Sequence, residues 1–228
     1  MKWRKLLRPR DHRTAVGASP NDLGQEMPGW MIVRQRQQMT TWRDADGDVL
    51  SLTRSATLQL PDLSDENAVR GYCRNVAESM RSGLVEAAVA AAVEGPAVMF
   101  VYKRLEKPAF VFTGMLVVAP TSGTSSVWTV AAGERGMTGV REAMVTTQLM
   151  SEGKLSLESY RTSWAQDPYD PTYGGVDRST LRYLSDDESY DPQFPHHPLS
   201  KVRRKLRTLL AVKLDPRPPQ GVAKTDDG

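Results

Sequence analysis

Hydrophobic and polar residues form short runs over the first part of the chain, and these runs predict strands. Residues 30–36 and 38–43 have the composition of strands, and a third run, V-L-S-L-T-R, begins at Val49. Between the second and third runs, Asp46-Gly47 predicts a hairpin turn, because both residue types tolerate positive φ. The acids at 44, 46 and 48 fit this turn rather than a calcium loop, since an EF-hand needs glycine sixth and glutamate twelfth.

A helical period follows these strands. Apolar side chains recur at the spacing of one helix face, at Val69, Tyr72, Cys73, Val76 and Met80. Ser64 is the predicted N-cap, with Asp65 and Glu66 in the first turn, and Gly83 is the predicted stop. Cys73 falls on the apolar side, where a reduced core cysteine is expected.

The middle of the chain predicts a meander of strands. Residues 84–93 are ambiguous, because their alanines favour a helix whereas the flanking glycines favour a hairpin arm, and we interpret them as a strand. Residues 97–103, 110–118 and 126–132 are valine-rich and aromatic, and short turns separate them. A helix is predicted next over residues 138–150, with an inward stripe made of Val140, Ala143, Met144, Thr147 and Met150.

Residues 153–198 change in character and are rich in Pro, Asp, Tyr and Gly. The tripeptide Tyr-Asp-Pro occurs at 169–171 and 190–192, and an aromatic residue follows each copy two positions later. Each Asp-Pro initiates a turn, so we expect an ordered wrapping segment. Its predicted interaction surface consists of Tyr169, Tyr173, Tyr190 and Phe194.

The ends of the chain complete the predicted domain organisation. Residues 1–27 predict a basic, flexible arm, residues 28–214 a single α+β domain, and residues 215–228 a disordered tail. An amphipathic helix closes the domain at 199–214, with Ser200 as a possible N-cap. Its apolar side consists of Val202, Leu206, Leu209 and Leu210.

The order of elements, namely hairpin, helix, four-strand meander, helix and closing helix, resembles the PsbP/Mog-like fold. The resemblance covers residues 28–150 and the closing helix, and residues 153–198 depart from it. It implies an antiparallel sheet flanked by helices and a family of largely non-catalytic binding proteins, and it carries over no site residue. The runs T-G-M-L-V-V and T-G-V-R-E-A also resemble bacterial proteins of unknown function, which implies no activity.

The net charge of +3 is unevenly distributed along the chain. Residues 1–13 and 201–207 each have a surplus of five basic residues, whereas residues 151–195 have a surplus of five acidic ones. We expect the basic closing helix to pair with the acidic segment. Nucleic acid is a poor fit as a partner, because the basic stretches lack the interleaved aromatic residues of a stacking platform.

A glycine-rich loop at 133–139 joins the last strand of the meander to a helix. Its backbone amides, with Arg135, Gly136, Thr138, Gly139 and Arg141, are a candidate binding site for an anion. The spacing matches neither a Walker A motif nor a dinucleotide fingerprint. The alternative is a plain strand-to-helix turn that Thr138 caps.

Other candidate chemistry is sparse. For His196-His197, a buried histidine bonded to a carboxylate is favoured over a metal ligand, because adjacent histidines seldom face one ion. No catalytic residue, metal site or cofactor is predicted. The hypothesis is a cytoplasmic, non-catalytic accessory protein that binds another protein. The alternatives are an enzyme centred on the loop from Gly133 to Arg141 and a membrane-surface adaptor that docks by its basic termini, without a transmembrane segment.

Overall fold

The computed structural model describes residues 29–36, 38–55, 58–119, 124–175 and 177–212. The predicted N-terminal arm (1–27) and C-terminal tail (215–228) lie outside the described residues. Seven strands form one antiparallel sheet in the order β1-β2-β3-β7-β6-β5-β4. Their bounds are β1 Trp30–Arg36, β2 Met39–Asp44, β3 Val49–Ser55, β4 Gly83–Ala92, β5 Gly95–Glu106, β6 Ala109–Val118 and β7 Ser125–Gly133.

This sheet joins an N-terminal meander, β1 to β3, to a second meander, β4 to β7. The junction is the pairing of β3 with β7, in which Leu52 lies opposite Trp128. The predicted α+β class, with an antiparallel sheet flanked by helices, is confirmed. The interpretation of residues 84–93 as a strand is also confirmed, since β4 pairs with β5 along its length.

Among the described residues, four helices and a small hairpin accompany the sheet. The helices are α1 Glu66–Ser79, α2 Val140–Ser151, α3 Leu157–Ser163 and α4 Pro198–Leu210. Within the segment 153–198, β8 Ala165–Gln166 pairs with β9 Arg182–Tyr183, and three short 3-10 helices span Arg178–Thr180, Leu184–Asp186 and Glu188–Tyr190. No helix in the described part of the chain has the length and apolar character needed to cross a membrane.

Each face of the sheet is covered by one amphipathic helix. α4 packs on one face through Leu199, Val202, Leu206 and Leu209, all buried, as the predicted apolar side requires. It lies close to β6, where a Cβ on Gly114 would stand 2.6 Å from side-chain atoms of both Val202 and Leu206. α1 covers the opposite face with Val69, Cys73 and Val76. Burial raises the pKa of the Cys73 thiol to about 12, which fits the expected core cysteine.

The helix ends differ from the sequence prediction. Asp65, not Ser64, caps α1, because the Asp65 carboxylate accepts from the amides of Asn67 and Ala68. Ser64 is held by the preceding Asp62 instead. α1 ends at Ser79, and Gly83 begins β4 rather than stopping the helix.

The predicted inward stripe of α2 was wrong. Arg141, Val145 and Leu149 are the buried residues of this helix, whereas Met144 is 57% exposed. The helix period is compatible with the predicted stripe and with the observed one. The observed stripe contains a charged residue, and the ion pair of buried Arg141 with Asp191 stabilises it. Val140 lies on the exposed side as well.

Candidate functional site

A cleft of about 480 Å³ opens between the β2–β3 turn, the loop after β7 and the start of α4. Asp46 and Asp48 come from the turn, Glu134 and Arg135 from the loop, and His197 from the N-cap of α4. The cleft adjoins the predicted glycine loop. Its walls carry both signs of charge, so the walls alone do not select an anion.

The glycine loop is arranged as a turn into α2. Gly136 and Gly139 have φ of 69° and 74°, a left-handed conformation that favours glycine. Gly139, not Thr138, is the N-cap, and no side chain caps the helix there. The Gly139 amide donates to Glu134 Oε1 at 3.0 Å, so an acid of the same loop occupies one of the predicted anion-binding amides. Arg135 is exposed at the rim, 3.9 Å from Asp48.

Arg141 does not face the solvent side of this loop. Its side chain is fully buried, and its guanidinium donates to four groups within the fold. These are the backbone oxygens of Ser185 at 2.6 Å and Asp187 at 2.9 Å, Asp191 Oδ1 at 2.9 Å and Ser200 Oγ at 2.9 Å. Arg135 and Arg141 both line the cleft, but the Arg141 guanidinium is bonded to these internal partners, and of the two side chains Arg135 is the exposed one. Ser200 belongs to this network and is not the N-cap of α4. His197 caps the helix instead, by accepting a hydrogen bond from the Leu199 amide.

A layer of buried polar residues lies beneath the cleft. Lys103 of β5 and Asp186 are both fully buried and form an ion pair at 2.6 Å. Asp186 also accepts from the Tyr183 amide, and the Lys103 ammonium stands 3.2 Å from the centroid of the Tyr183 ring. Burial lowers the pKa of Lys103, against the attraction of Asp186. Sequence reasoning missed this pair, although Lys103 at the end of a valine-rich and aromatic strand pattern was a visible signal.

Two glutamates and His197 meet at the edge of this layer. Glu134 Oε1 and His197 Nε2 are 3.8 Å apart, which is longer than a hydrogen bond, so the predicted histidine–carboxylate pair is a contact rather than a bond. His196 is exposed. Glu142 projects from the first turn of α2 into the same place, with both carboxylate oxygens buried and unbonded to any described residue.

The two glutamates have opposite pKa shifts. Burial raises the pKa of the Glu142 carboxyl, and the nearby charges of Asp186 and Glu134 act in the same direction. Burial also acts on Glu134, but the His197 ring and the amides of Gly139 and Phe110 favour its charged form and lower its pKa. The surroundings therefore favour the ionised form of Glu134, whereas burial disfavours the ionised form of Glu142.

The aspartates of the β2–β3 turn are held by α4. Lys201 bonds Asp46 at 2.8 Å and also contacts Asp48, while Asp44 Oδ1 accepts from the Asp48 amide. The turn interpretation fits this geometry, because the carboxylates have internal partners.

The basic closing helix and the acidic segment do meet, as their charges predicted. Arg203, almost fully buried, bonds Asp191 at 2.9 Å and the Asp186 backbone oxygen at 2.7 Å. It also bonds Glu86 of β4 at 2.6 Å, a partner outside the acidic segment. Arg207 pairs with Glu188 at the surface.

The four aromatic residues predicted to form an interaction surface are half-buried and engaged internally. The Tyr169 hydroxyl donates to the Ala87 oxygen at 2.9 Å and accepts from the Ala87 amide at 2.7 Å. Tyr173 bonds Glu78 of α1. Tyr190 and Phe194 pack against the cluster of Val145, Leu149, Leu155 and Trp164. The turns at Asp-Pro fold these rings onto the domain rather than outward.

The exposed apolar surface lies instead on β1. Six of its seven residues are exposed, including Met31 at 66%, Ile32 at 43% and Val33 at 51%. β1 pairs with β2 on one side, and among the described residues no strand pairs with its other side. Sequence reasoning identified the strand but not its position at the edge, which depends on the pairing of β3 with β7.

Comparison with known proteins finds no matching family model and no matching curated sequence. The solved structures that are similar to this chain include two at 12% identity. The Ran-binding protein Mog1p of Saccharomyces cerevisiae has a TM-score of 0.35, with 57% of this chain and 76% of that chain covered. A point mutant of protein Mog1 has a TM-score of 0.34, with 54% and 76% covered. A likeness at this level identifies neither a family nor a partner for this chain.

Proposed function

We propose that this chain is a protein-binding module that adds an extended segment of a partner protein to its sheet along β1. The observation that carries the proposal is the exposed edge, where three exposed apolar side chains, Met31, Ile32 and Val33, accompany a row of backbone groups that no strand among the described residues pairs with. Strand addition uses both features, because backbone hydrogen bonds supply affinity and alternate side chains supply specificity.

The two edges of the sheet contrast in a way that supports this choice. At the opposite edge, the Tyr169 hydroxyl bonds both backbone groups of Ala87 in β4, so the wrapping segment blocks that edge. Proteins commonly cover or charge exposed edges to prevent unwanted pairing. The outer side of β1 has no such cover within the described residues.

The chemistry of β1 selects an acidic partner segment. Arg34 and Arg36 are exposed on β1, and Arg43 is exposed on the adjacent β2. Opposite charges across paired strands are favourable, and like charges directly opposite are not. A bulge between Ile32 and Arg34 breaks the register with β2, so the apolar and basic halves of the strand form two short recognition units.

Site-specific photo-cross-linking of the full chain in cells tests this function. A photoreactive residue replaces Val33, and the matched control replaces Val89, which is 44% exposed on β4. The proposal requires Val33 to cross-link to one extended acidic segment of another protein, mapped at the peptide level, and Val89 not to do so. Cross-links from Val33 to this chain alone, or the same partners from both positions, contradict it.

Charge reversal of the edge provides the matching affinity test. The mapped segment, made as a peptide, should bind the wild-type chain, and the binding should weaken as salt screens the arginines. The double variant Arg34→Glu with Arg36→Glu should reduce the affinity at least about tenfold. This loss corresponds to the interaction energy of one to two surface charge pairs. Arg81→Glu, at an exposed position after α1, should leave the affinity unchanged.

A further inference from the structure

Three elements converge at the edge of the buried polar layer, each with one potential metal ligand. Glu134 follows β7, Glu142 lies in the first turn of α2, and His197 is the N-cap of α4. One ligand atom from each lies within 4.8 Å of the others. Carboxylate and imidazole are the ligands that open zinc-type sites combine.

Three polar atoms at this place lack partners, whereas the two Glu134 oxygens accept from the amides of Gly139 and Phe110. Both oxygens of Glu142 and Nε2 of His197 are buried without a hydrogen bond to any described residue. The His197 side chain is only 9% exposed, and that of Glu134 only 5%. Buried polar atoms are nearly always bonded in native proteins, so this set needs a ligand, an ion or a water to satisfy it.

The local charge balance favours a cation. Lys103 is the basic side chain of the layer, and Asp186 already pairs with it. Arg141 is already paired with Asp191 and bonded to the backbone oxygens of Ser185 and Asp187. Glu142 has no hydrogen-bonded partner in this corner and lies beside the Glu134 carboxylate, so burying both charges together is costly. A divalent ion would neutralise both.

We infer that Glu134, Glu142 and His197 form a binding site for a divalent transition-metal ion of the Zn²⁺ type. Imidazole argues against Ca²⁺ and Mg²⁺, which prefer all-oxygen sites, and Zn²⁺ binds mixed nitrogen and oxygen ligands tightly. Ligands bonded at about 2.1 Å around a tetrahedral ion stand roughly 3.4 Å apart. Glu134 Oε1 and His197 Nε2, 3.8 Å apart, are already close to this separation, and all three ligand atoms lie within 4.8 Å of one another.

Binding also changes the cap of α4. His197 Nδ1 accepts from the Leu199 amide at 3.3 Å, so neutral His197 carries its proton on Nε2. Ligation through Nε2 requires the other tautomer, with the proton on Nδ1, and releases the Leu199 amide from its cap. At 3.3 Å that bond is long for a hydrogen bond, so its loss costs little.

The site is open on one side. Glu134 and His197 line the cleft, whereas Glu142 lies behind them. A water molecule or a ligand in the cleft can therefore complete the coordination, as in zinc sites with three protein ligands. The inference is independent of the proposed function, since neither its residues nor its test involve β1.

Zn²⁺ titration of the full chain after chelator treatment tests the inference. Competition with a chromophoric chelator gives stoichiometry and affinity, and Co²⁺ in place of Zn²⁺ gives the visible spectrum of its coordination. Wild type should bind one equivalent, and Glu142→Gln should bind at least tenfold more weakly, because it removes one of three ligands. At one equivalent of Zn²⁺ the Leu199 amide resonance should shift in wild type and shift less in Glu142→Gln.

Two control variants separate this site from other acids and histidines. His196→Gln alters the exposed neighbour of His197, and Asp46→Asn alters the group of aspartates 44, 46 and 48, the other cluster with metal-ligand spacing among the described residues. Both should bind Zn²⁺ as wild type does. Absence of binding in wild type, unchanged affinity in Glu142→Gln, or loss of affinity in Asp46→Asn would overturn the inference.

Discussion

Lys103 and Asp186 form a fully buried ion pair, 2.6 Å long, that connects the wrapping segment to strand β5. Removing one partner from such a pair leaves an uncompensated charge in the core, which costs about 3–5 kcal/mol. We therefore expect Lys103→Met to lower the free energy of unfolding by that amount. The double variant Lys103→Met with Asp186→Asn should lose less than the sum of the single losses. Additive losses in urea denaturation would show that the two residues are not coupled.

Arg141 and Arg135 provide a matched pair at the glycine loop. Arg141→Ala removes four internal hydrogen bonds and leaves Asp191 with one basic partner fewer, so we expect a loss of about 3 kcal/mol or more in unfolding free energy. Arg135→Ala removes an exposed side chain and should change stability by less than about 0.5 kcal/mol. Equal, small effects in the two variants would contradict the structural role of Arg141.

The arginines of α4 should differ in their response to salt. Arg203 is buried between Glu86 and Asp191, so the destabilisation by Arg203→Gln should exceed about 2 kcal/mol and persist at 1 M salt. Arg207 pairs with Glu188 at the surface, and Arg207→Gln should cost about 0–1 kcal/mol at low salt and nothing at high salt. Thermal melts of both variants across a salt series measure the difference. Similar salt sensitivity in both would place Arg203 at the surface.

Glu142 predicts a specific pH dependence. Burial raises the pKa of its carboxyl above the ordinary 4.5, so the folded state holds its proton more tightly than the unfolded chain does. The protonated Glu142 carboxyl makes its full contribution to folding stability below pH 4.5. That contribution is lost as the pH rises through the raised pKa of the folded state. With chelator present, the stability of Glu142→Gln relative to wild type should therefore rise as the pH increases from 4.5 to the raised pKa of the folded state. Above that pKa the difference should stay constant. Melting temperatures that differ by the same amount at pH 4 and pH 8 would exclude this effect.

The strands were predictable because local composition and turn residues determine them. Asp46-Gly47 and the valine-rich runs of the meander need no long-range information, and the structure places strands there. The stripe of α2 was not predictable in the same way. Arg141 is buried only because Asp191, Ser200 and two backbone oxygens from distant parts of the chain surround it, and no local pattern indicates those partners.

The candidate site also depends on long-range contacts that no local pattern indicates. The loop at 133–139 directed attention to the correct region, yet the residues that converge there are Glu134, Glu142 and His197 rather than the glycines and Arg141. Their proximity depends on how α2 and α4 pack against the end of β7. The edge position of β1 likewise depends on the pairing of β3 with β7, which joins residues far apart in sequence.

Hydrogen exchange at the β1 amides tests strand addition most directly. The measurement compares the full chain alone and with the acidic peptide that Val33 cross-links. The account predicts that exchange slows about tenfold or more in residues 31–36, because the peptide supplies hydrogen bonds to the outer edge, while β4 is unchanged. Saturating peptide that leaves β1 exchange unaltered, or protects β4 instead, would contradict the account.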